Sequence, residues 1–336
     1  MKKNITMSDI AERLNISTVT VSKALSNKDG VSENLREEIK KVAEEMGYRC
    51  NIAAKGMKEG CTYNIGVITA ERYMMSGNSF YWMMYQKIIQ NLSLYNYYAI
   101  LEIISKETEI ENKLPNMVQD RRIDALIVLG QVREHYIDLI SEQNIPIIFL
   151  DFYDRHFDMD AVIGDNMYGA YIITNYLVSK GHKDIGYVGN IYATSSILDR
   201  YLGYSKTLIE HRIPIRAEWT IRDRDRDGVF CKFELPDKLP TAFVCNCDEV
   251  AYHFIQYLNK KGVCVPEDVS VVGFDDYLYA TISNPQITTI QVDVENMAKE
   301  AVEGIFKKIE DPNYKLGRKV ITGKIILRES VRELYY

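Results

Sequence analysis

From Asn64 onward, eight short apolar runs recur along the chain: NIGVIT (64–69), YAILEI (98–103), DALIVL (124–129), PIIFLD (146–151), AVIGD (161–165), DIGYVG (184–189), TAFVCN (241–246) and DVSVVGFD (268–275). Amphipathic stretches separate most of them, near 80–95, 108–121, 133–143, 167–180, 197–211 and 248–261. Near-continuous apolar strands alternating with helices imply parallel sheets covered on both faces. Eight strands exceed what one typical sheet carries, so the pattern predicts an α/β core of two lobes. The late segment TTIQVDVENMAKEAVEGIFKKI adds a strand and a helix, and KIILRES adds a last strand. These late elements let the chain cross back between lobes and frame a hinged cleft. The pattern places lobe one at about 61–160 and 292–323, and lobe two at about 161–291 and 324–336.

In such folds ligands bind beyond the carboxyl ends of the strands. The residues found there are Glu71 and Arg72, then Ser79, Phe80, Tyr81 and Trp82, then Asp151, then Ser195, Ser196 and Arg200, then Asn246, Cys247 and Asp248, and last Asp275 and Asp276. Carboxylates, an arginine and aromatic faces suit a polyhydroxylated ligand, whose hydroxyls need donors and acceptors and whose apolar face stacks on rings. Each residue also has a structural alternative: Asp151 or Asp248 as a helix cap, Phe80 as core, Arg200 as a surface ion pair.

Catalysis has little to stand on. The chain has no G-x-S-x-G elbow, P-loop or HExxH, and no G-x-G-x-x-G follows a strand. His182, in a G-H-K turn, reads as structural. The six cysteines (50, 61, 231, 245, 247 and 264) lack the spacing of a disulfide framework or a zinc site, so free thiols are expected, with no metal and no cofactor. No apolar run approaches the roughly 20 residues of a membrane helix. The opening MKKNITMSDIAERL lacks a following apolar stretch of the secretory kind, which points to the cytoplasm.

Net charge is −6, yet residues 1–60 carry 11 Lys+Arg against 9 Asp+Glu, so the remainder is acidic. Any polyanion should therefore meet the first sixty residues. Three short helices fit there. Thr6 with Asp9 forms a capping pair for the first, Ser17 caps the second at Thr18 to about Leu25, and Ser32 caps a third running to Met46 and stopped by Gly47. On the second helix Val21, Ala24 and Leu25 face inward, and Thr18, Val19, Ser22 and Lys23 face out. A helix of two turns, supported behind and small and polar in front, suits a DNA major groove. Asn51 to Lys58 makes one marginal helix with small residues on one side and the Met57 thioether near its end.

The frame I-T-M-S-D-I-A-E-R-L-N-I-S-x-x-T-V-S-K-A-L, G-V-S, R-E-E-I-K-K-V-A-E-E-M-G-Y and N-I-A-A-K-G-M-K resembles the DNA-binding head and hinge of the lactose-repressor (LacI/GalR) family. Weaker resemblances continue through the core in V-I-G-D-N-x-x-G-A, D-R-Y-L-G-Y and V-P-E-D-V-S-V-V-G-F-D-D. The resemblance implies a helix-turn-helix head at 1–49, a hinge helix at 50–60 and, at 61–336, a two-lobed periplasmic-binding-protein-like core with two parallel sheets. By motif it makes Thr18, Val19 and Lys23 base-reading residues and Ser17, Thr20, Ser22 and Ser32 phosphate contacts, with Thr6 at the same surface. Asn51, Ala54 and Met57 become the minor-groove contacts and wedge of the hinge. Arg200 and Asp275 match the principal effector contacts, and Asp151 and Ser196 secondary ones.

There are departures. Lys23 stands where Arg is usual, Cys50 replaces a Pro, Ser26 an Asn, Met57 a Leu, and Cys247 an amide residue. The implied protein is a homodimeric transcriptional regulator, most often a repressor, on a pseudo-palindromic double-stranded operator. Its effector is a small molecule, a sugar or sugar derivative. The alternative is a sugar-binding protein with no DNA-binding role, which would share the core but not the head.

Overall fold

A computed structural model describes residues 5–49, 56, 59–74, 80–155, 159–225 and 228–334. The chain divides into two compact units, Met1–Thr62 and Tyr63–Tyr336. No helix among the described residues is long and apolar enough to cross a membrane.

The first unit holds α1 (Met7–Leu14), α2 (Thr18–Leu25) and α3 (Glu33–Glu45). Thr6 and Asp9 cap α1 reciprocally: the Thr6 amide donates to Asp9 Oδ2 at 2.8 Å, and the Asp9 amide donates to Thr6 Oγ1. The turn into α2 passes through Asn15 in the left-handed region (φ 52°), and Ser17 then accepts the Thr20 amide at 3.1 Å. Ile10, Val21, Ala24 and Ile39 are fully buried where the three helices meet. Ser32 holds the N-cap position of α3, but its side chain makes no capping bond, unlike the expected cap. The loop before α3 is secured from within instead. Arg36, buried on α3, donates Nη1 to the Ala24 carbonyl (3.2 Å) and Nη2 to the Lys28 carbonyl (3.0 Å).

In the second unit, β1 (Asn64–Ala70), β2 (Tyr98–Ile104), β3 (Ala125–Leu129), β4 (Ile147–Leu150), β5 (Asp160–Gly164) and β11 (Arg318–Ile321) form an all-parallel sheet ordered β11-β5-β4-β3-β1-β2. A second parallel sheet, β7-β6-β8-β9, is built from β6 (Ile185–Val188), β7 (Thr220–Ile221), β8 (Ala242–Cys245) and β9 (Ser270–Val272). β10 (Thr289–Gln291) and β12 (Lys324–Ile326) pair antiparallel as a separate two-stranded sheet. The helices are α4 (Phe80–Ser93), α5 (Lys106–Ile110), α6 (Asn116–Gln119), α7 (Glu134–Ser141), α8 (Asn166–Ser179), α9 (Ser195–Glu210), α10 (Asp248–Lys260), α11 (Leu278–Ile282) and α12 (Val294–Glu310).

Three differences from the sequence pattern have physical causes. The 161–165 run, expected in lobe two, is β5 of the first sheet, where it pairs with β4 on one side and β11 on the other. The first crossing therefore falls at Asp165, and the others near Val292 and Thr322. The single helix expected over 108–121 is two short ones, because Pro115 cannot continue a helix. β7 and β11 are too short or too polar to register as apolar runs; three of the four β11 residues are exposed. Helix α12 fits its expectation and packs Met297, Ala298, Ala301 and Ile305 on the first sheet. The tail closes the second lobe: the Val271 amide donates to the Ser330 carbonyl at 2.9 Å. Fully buried His182 bridges Thr241 and the Arg332 carbonyl, a structural role as expected.

Arg36→Met keeps the stem but removes the donors, leaving the loop carbonyls unsatisfied, a cost of about 2–3 kcal/mol. Hydrogen exchange on the full chain should show α2 amides exchanging about 30- to 100-fold faster, with core amides unchanged.

Candidate nucleic-acid interface and ligand cleft

Burial of Val21 and Ala24 against α1 and α3 fixes which side of α2 points outward. On that side Thr18, Val19 and Lys23 are exposed and Ser22 is half-buried. Val19, at 63% exposure, is an apolar residue with no partner in its own unit to cover it. Thr6, Ser17 and Ser32 are exposed, and Ser17 Oγ lies 2.8 Å from Thr20 Oγ1. Gly30 (φ +92°) sits under Lys23, where an added Cβ would come within 3.3 Å of Nζ. The second helix is thus a short, braced rod with small polar groups and one cation at its outer face. Asn51, Ala54 and Met57 lie outside the described residues, as does Ser79.

In the second unit, the cleft is organised by Arg200 on α9. Its Nε donates to Asn166 Oδ1 (2.8 Å), its Nη1 to the Asn246 carbonyl (2.5 Å), and its Nη2 lies 3.2 Å from Asp275 Oδ1. The guanidinium stacks over the Phe274 ring, 3.9 Å from its centroid. Asp275, just past β9, has φ 112°, in a region L-residues rarely enter. Such strain costs of order 1–3 kcal/mol and persists only when the surroundings enforce it. Here the Asp275 amide donates to the Ile290 carbonyl at 2.8 Å, and the neighbouring Asp276 (φ 54°) is gripped by Arg328 at 2.6 Å.

From the first sheet, Asp151 enters at the end of β4 with φ 69° and accepts the Tyr81 hydroxyl at 2.9 Å. Burial pushes its carboxyl above the ordinary range, against the pull of Arg200. Burial likewise raises Asp275, opposed by Arg200 and reinforced by Asp151, to about 7. The cleft is held shut at two points on α9. The Ser195 amide donates to Gln131 Oε1 at 2.8 Å, and the Tyr153 hydroxyl donates to Asp199 Oδ1 at 2.8 Å.

Arg200, Asp275 and Asp151 thus converge as the sequence reading expected. Ser196 lies beside them on α9 and bonds Thr194. Cys247 sits at the N-cap of α10 with Arg224 Nη2 3.9 Å from its sulfur. Burial pushes this thiol up to about 12, with Arg224 pulling the other way. Three candidates are placed differently. Asp248 turns into the protein, accepting the Thr289 hydroxyl (2.6 Å) and the Tyr277 amide (3.0 Å), so both oxygens serve to anchor the Asp275 loop. Glu71 accepts the Lys106 amide at 2.9 Å and caps α5. Phe80 packs on the first core, and its neighbour Tyr81 reaches Asp151 instead.

The sequence reading passed over Asp223 and Arg224. Asp223, fully buried, accepts the Asn190 amide (2.7 Å), the Asn246 side-chain amide (2.9 Å) and Arg224 Nε (2.6 Å). The D-R repeats in RDRDRDG gave no sign of which pair would turn inward.

Residues 6–51 match the bacterial regulatory proteins of the lacI family, and residues 174–331 match a periplasmic binding protein-like domain. The HTH-type transcriptional regulator RegA of Clostridium saccharobutylicum is 30% identical over 337 residues, 96% of this chain and 98% of RegA. The chain belongs to the lacI family of bacterial regulatory proteins. Another relative, named "Probable HTH-type transcriptional repressor ExuR", from Bacillus subtilis (strain 168), is 28% identical over 98% of this chain and 99% of its own length. Among solved structures, the lac repressor dimer bound to operator and the anti-inducer ONPF shares the fold. Its TM-score is 0.80 at 20% identity, covering 98% of this chain and 100% of that one. This lacI-family member is a DNA-binding transcriptional regulator, not an enzyme.

Asp275 carries a titration that a folding experiment reads. A carboxyl at 3.8 when unfolded and about 7 when folded binds extra protons in the native state over that window, so stability falls as pH rises through it. Urea midpoints of the wild type should decline relative to Asp275→Asn from about pH 4 to pH 7 and run parallel above it.

Proposed function

We propose that this regulator is a cytoplasmic, homodimeric repressor whose α2 helices read a pseudo-palindromic operator and whose cleft binds a sugar or sugar derivative. The observation that carries the reading is the outer face of α2, where Thr18, Val19 and Lys23 stand exposed on a helix whose opposite side is locked in a core. The operator-bound dimer of the structurally similar lac repressor supports it. In the cleft, Asp275 pairs with Arg200 and Asp151 accepts the Tyr81 hydroxyl, a set of donors and acceptors that suits a polyol. Asn51, Ala54 and Met57 complete the DNA contact at the minor groove, with Met57 as the wedge. Effector binding acts through its different affinity for the closed and open arrangements of the lobes.

Selection from random duplexes should return a two-fold-symmetric sequence bound in a salt-sensitive way. On that sequence, Lys23→Ala should cost about 1–3 kcal/mol of affinity and Val19→Arg should change base preference. Gel shifts in which both variants behave as wild type would remove α2 as the reading element. Arg200→Ala and Asp275→Ala should keep operator affinity and lose the sugar response; calorimetric sugar binding equal to wild type would overturn the assignment of the cleft.

A further inference from the structure

One end of the cleft is lined by Arg72, Tyr73, Gln131 and Arg133 from the first lobe and by Thr194 and Arg224 from the second, around a cavity of about 130 Å³. A water's share of liquid volume is about 30 Å³, so this is space for a small polar group and not for a whole sugar ring. Three guanidinium groups reach it. Arg72 is held by Glu109 Oε2 (2.6 Å) and donates to the Gln131 carbonyl (2.6 Å). Arg133 lies 3.9 Å from the same glutamate and donates its backbone amide to it at 2.9 Å. Arg224 spends Nε on Asp223 and sets Nη2 against Cys247, which leaves Nη1 with no partner among the described residues.

Arginine is the prominent side chain among the described residues of this lining. Glu109 and Asp223, both fully buried, hold these arginines: Glu109 pairs with Arg72 and lies near Arg133, and Asp223 pairs with Arg224. The remaining acidic residue of the lining, Glu134, pairs with Arg155. The backbone contributes a field of the same sign. The 16-residue helix α9 starts on one wall at Thr194 and Ser195, and α7 starts on the other with Arg133 at its N-cap and no side-chain cap. Both helices present their positive ends here. Gly228, in the left-handed region at φ +85°, lets the second lobe close over Arg72; a Cβ there would lie 3.1 Å from Arg72 Cδ. Side chains link the arginine end to the Asp151–Arg200–Asp275 end: the Tyr73 ring lies 5.0 Å from the Arg72 guanidinium and 4.7 Å from the ring of Tyr81, whose hydroxyl donates to Asp151.

We propose that this arginine-lined end receives an anionic group of the effector, so that the effector is an acidic sugar, either a sugar acid or a sugar phosphate, and not a neutral sugar. The inference rests on the sugar-sensing reading above and narrows it. The anionic group binds Arg224 Nη1 across the mouth from Arg72, and the ring hydroxyls are left to Asp151, Arg200 and Asp275. An anion held between Arg224 of one lobe and Arg72 of the other bridges the two, so the ligand itself favours closure.

Isothermal titration of the full chain with D-glucuronate, D-galacturonate, glucose 6-phosphate, glucose and galactose tests this. At least one acidic member should bind about 30-fold or more tighter than its neutral parent, as expected for a charge pair removed from water. That preference should shrink with added salt, vanish in Arg224→Met and survive in part in Arg224→Lys. Uronates alone binding would specify a carboxylate, and glucose 6-phosphate alone a phosphoryl group; both outcomes support the proposal. Neutral sugars binding as well as acidic ones, or a preference untouched in Arg224→Met, would overturn it and leave the sugar-sensing reading standing. No binding by any of the five would overturn both. A far-ultraviolet circular dichroism spectrum of Arg224→Met that matches wild type confirms that the variant is folded.

Discussion

A guanidinium buried in a protein costs several kcal/mol unless its donors are met and its charge is answered, and Arg200 meets that condition only through elements far apart in sequence. Asn166 at the start of α8, the carbonyl of Asn246 past β8, the ring of Phe274 and the carboxylate of Asp275 each supply one part. The strained backbone at Asp275 is tolerable because β10 and Arg328 hold that loop from behind. Asp248 belongs to the same support. It occupies the space that a side chain at position 273 would need, as an added Cβ on Gly273 would fall 2.1 Å from its Oδ1. Much of the second lobe's rim is therefore a cage around one cation, with Asp151 facing it from the first.

That arrangement links binding to movement. Helix α9 carries Arg200 and also the Ser195 amide and Asp199, the two groups that bond to the first lobe through Gln131 and Tyr153. Whatever settles at Arg200 presses on the helix that holds the lobes together. Between the lobes run three crossing segments, at about Asp165, Val292 and Thr322, so their relative motion is confined to a hinge. Arg72 and Arg224 face across the same gap, one from each lobe, each held by a buried carboxylate, Glu109 and Asp223 respectively.

The parts of this fold that were readable in the residues are those set by local rules. Each of the eight apolar runs contributes a strand, since a strand buried on both faces must be apolar whatever it pairs with. The caps at Thr6 and Ser17 depend on neighbours three residues away and stand as expected. Ser32 does not cap, because Arg36 secures that turn by bonding carbonyls on another helix, an arrangement with no local signature. The assignment of β5 to the first sheet rests on its pairing with β4 on one side and with β11, some 150 residues later, on the other, which its own composition does not encode.

The cleft divides in the same way. The sequence by itself determined the head's helices and which side of α2 is outward, because helical periodicity and capping act within a few residues. It also placed Asp151, Arg200 and Asp275 on one rim, since strand ends in a parallel sheet share a side. Only the tertiary structure decided which carboxylates face the space. Asp248 and Glu71 are spent on backbone amides and a hydroxyl, whereas Asp223 and Arg224, inside an acidic-basic run, turn inward. The physical reason is that a polar side chain's role follows from which donors and acceptors remain unmet around it, and that is settled only when distant segments pack.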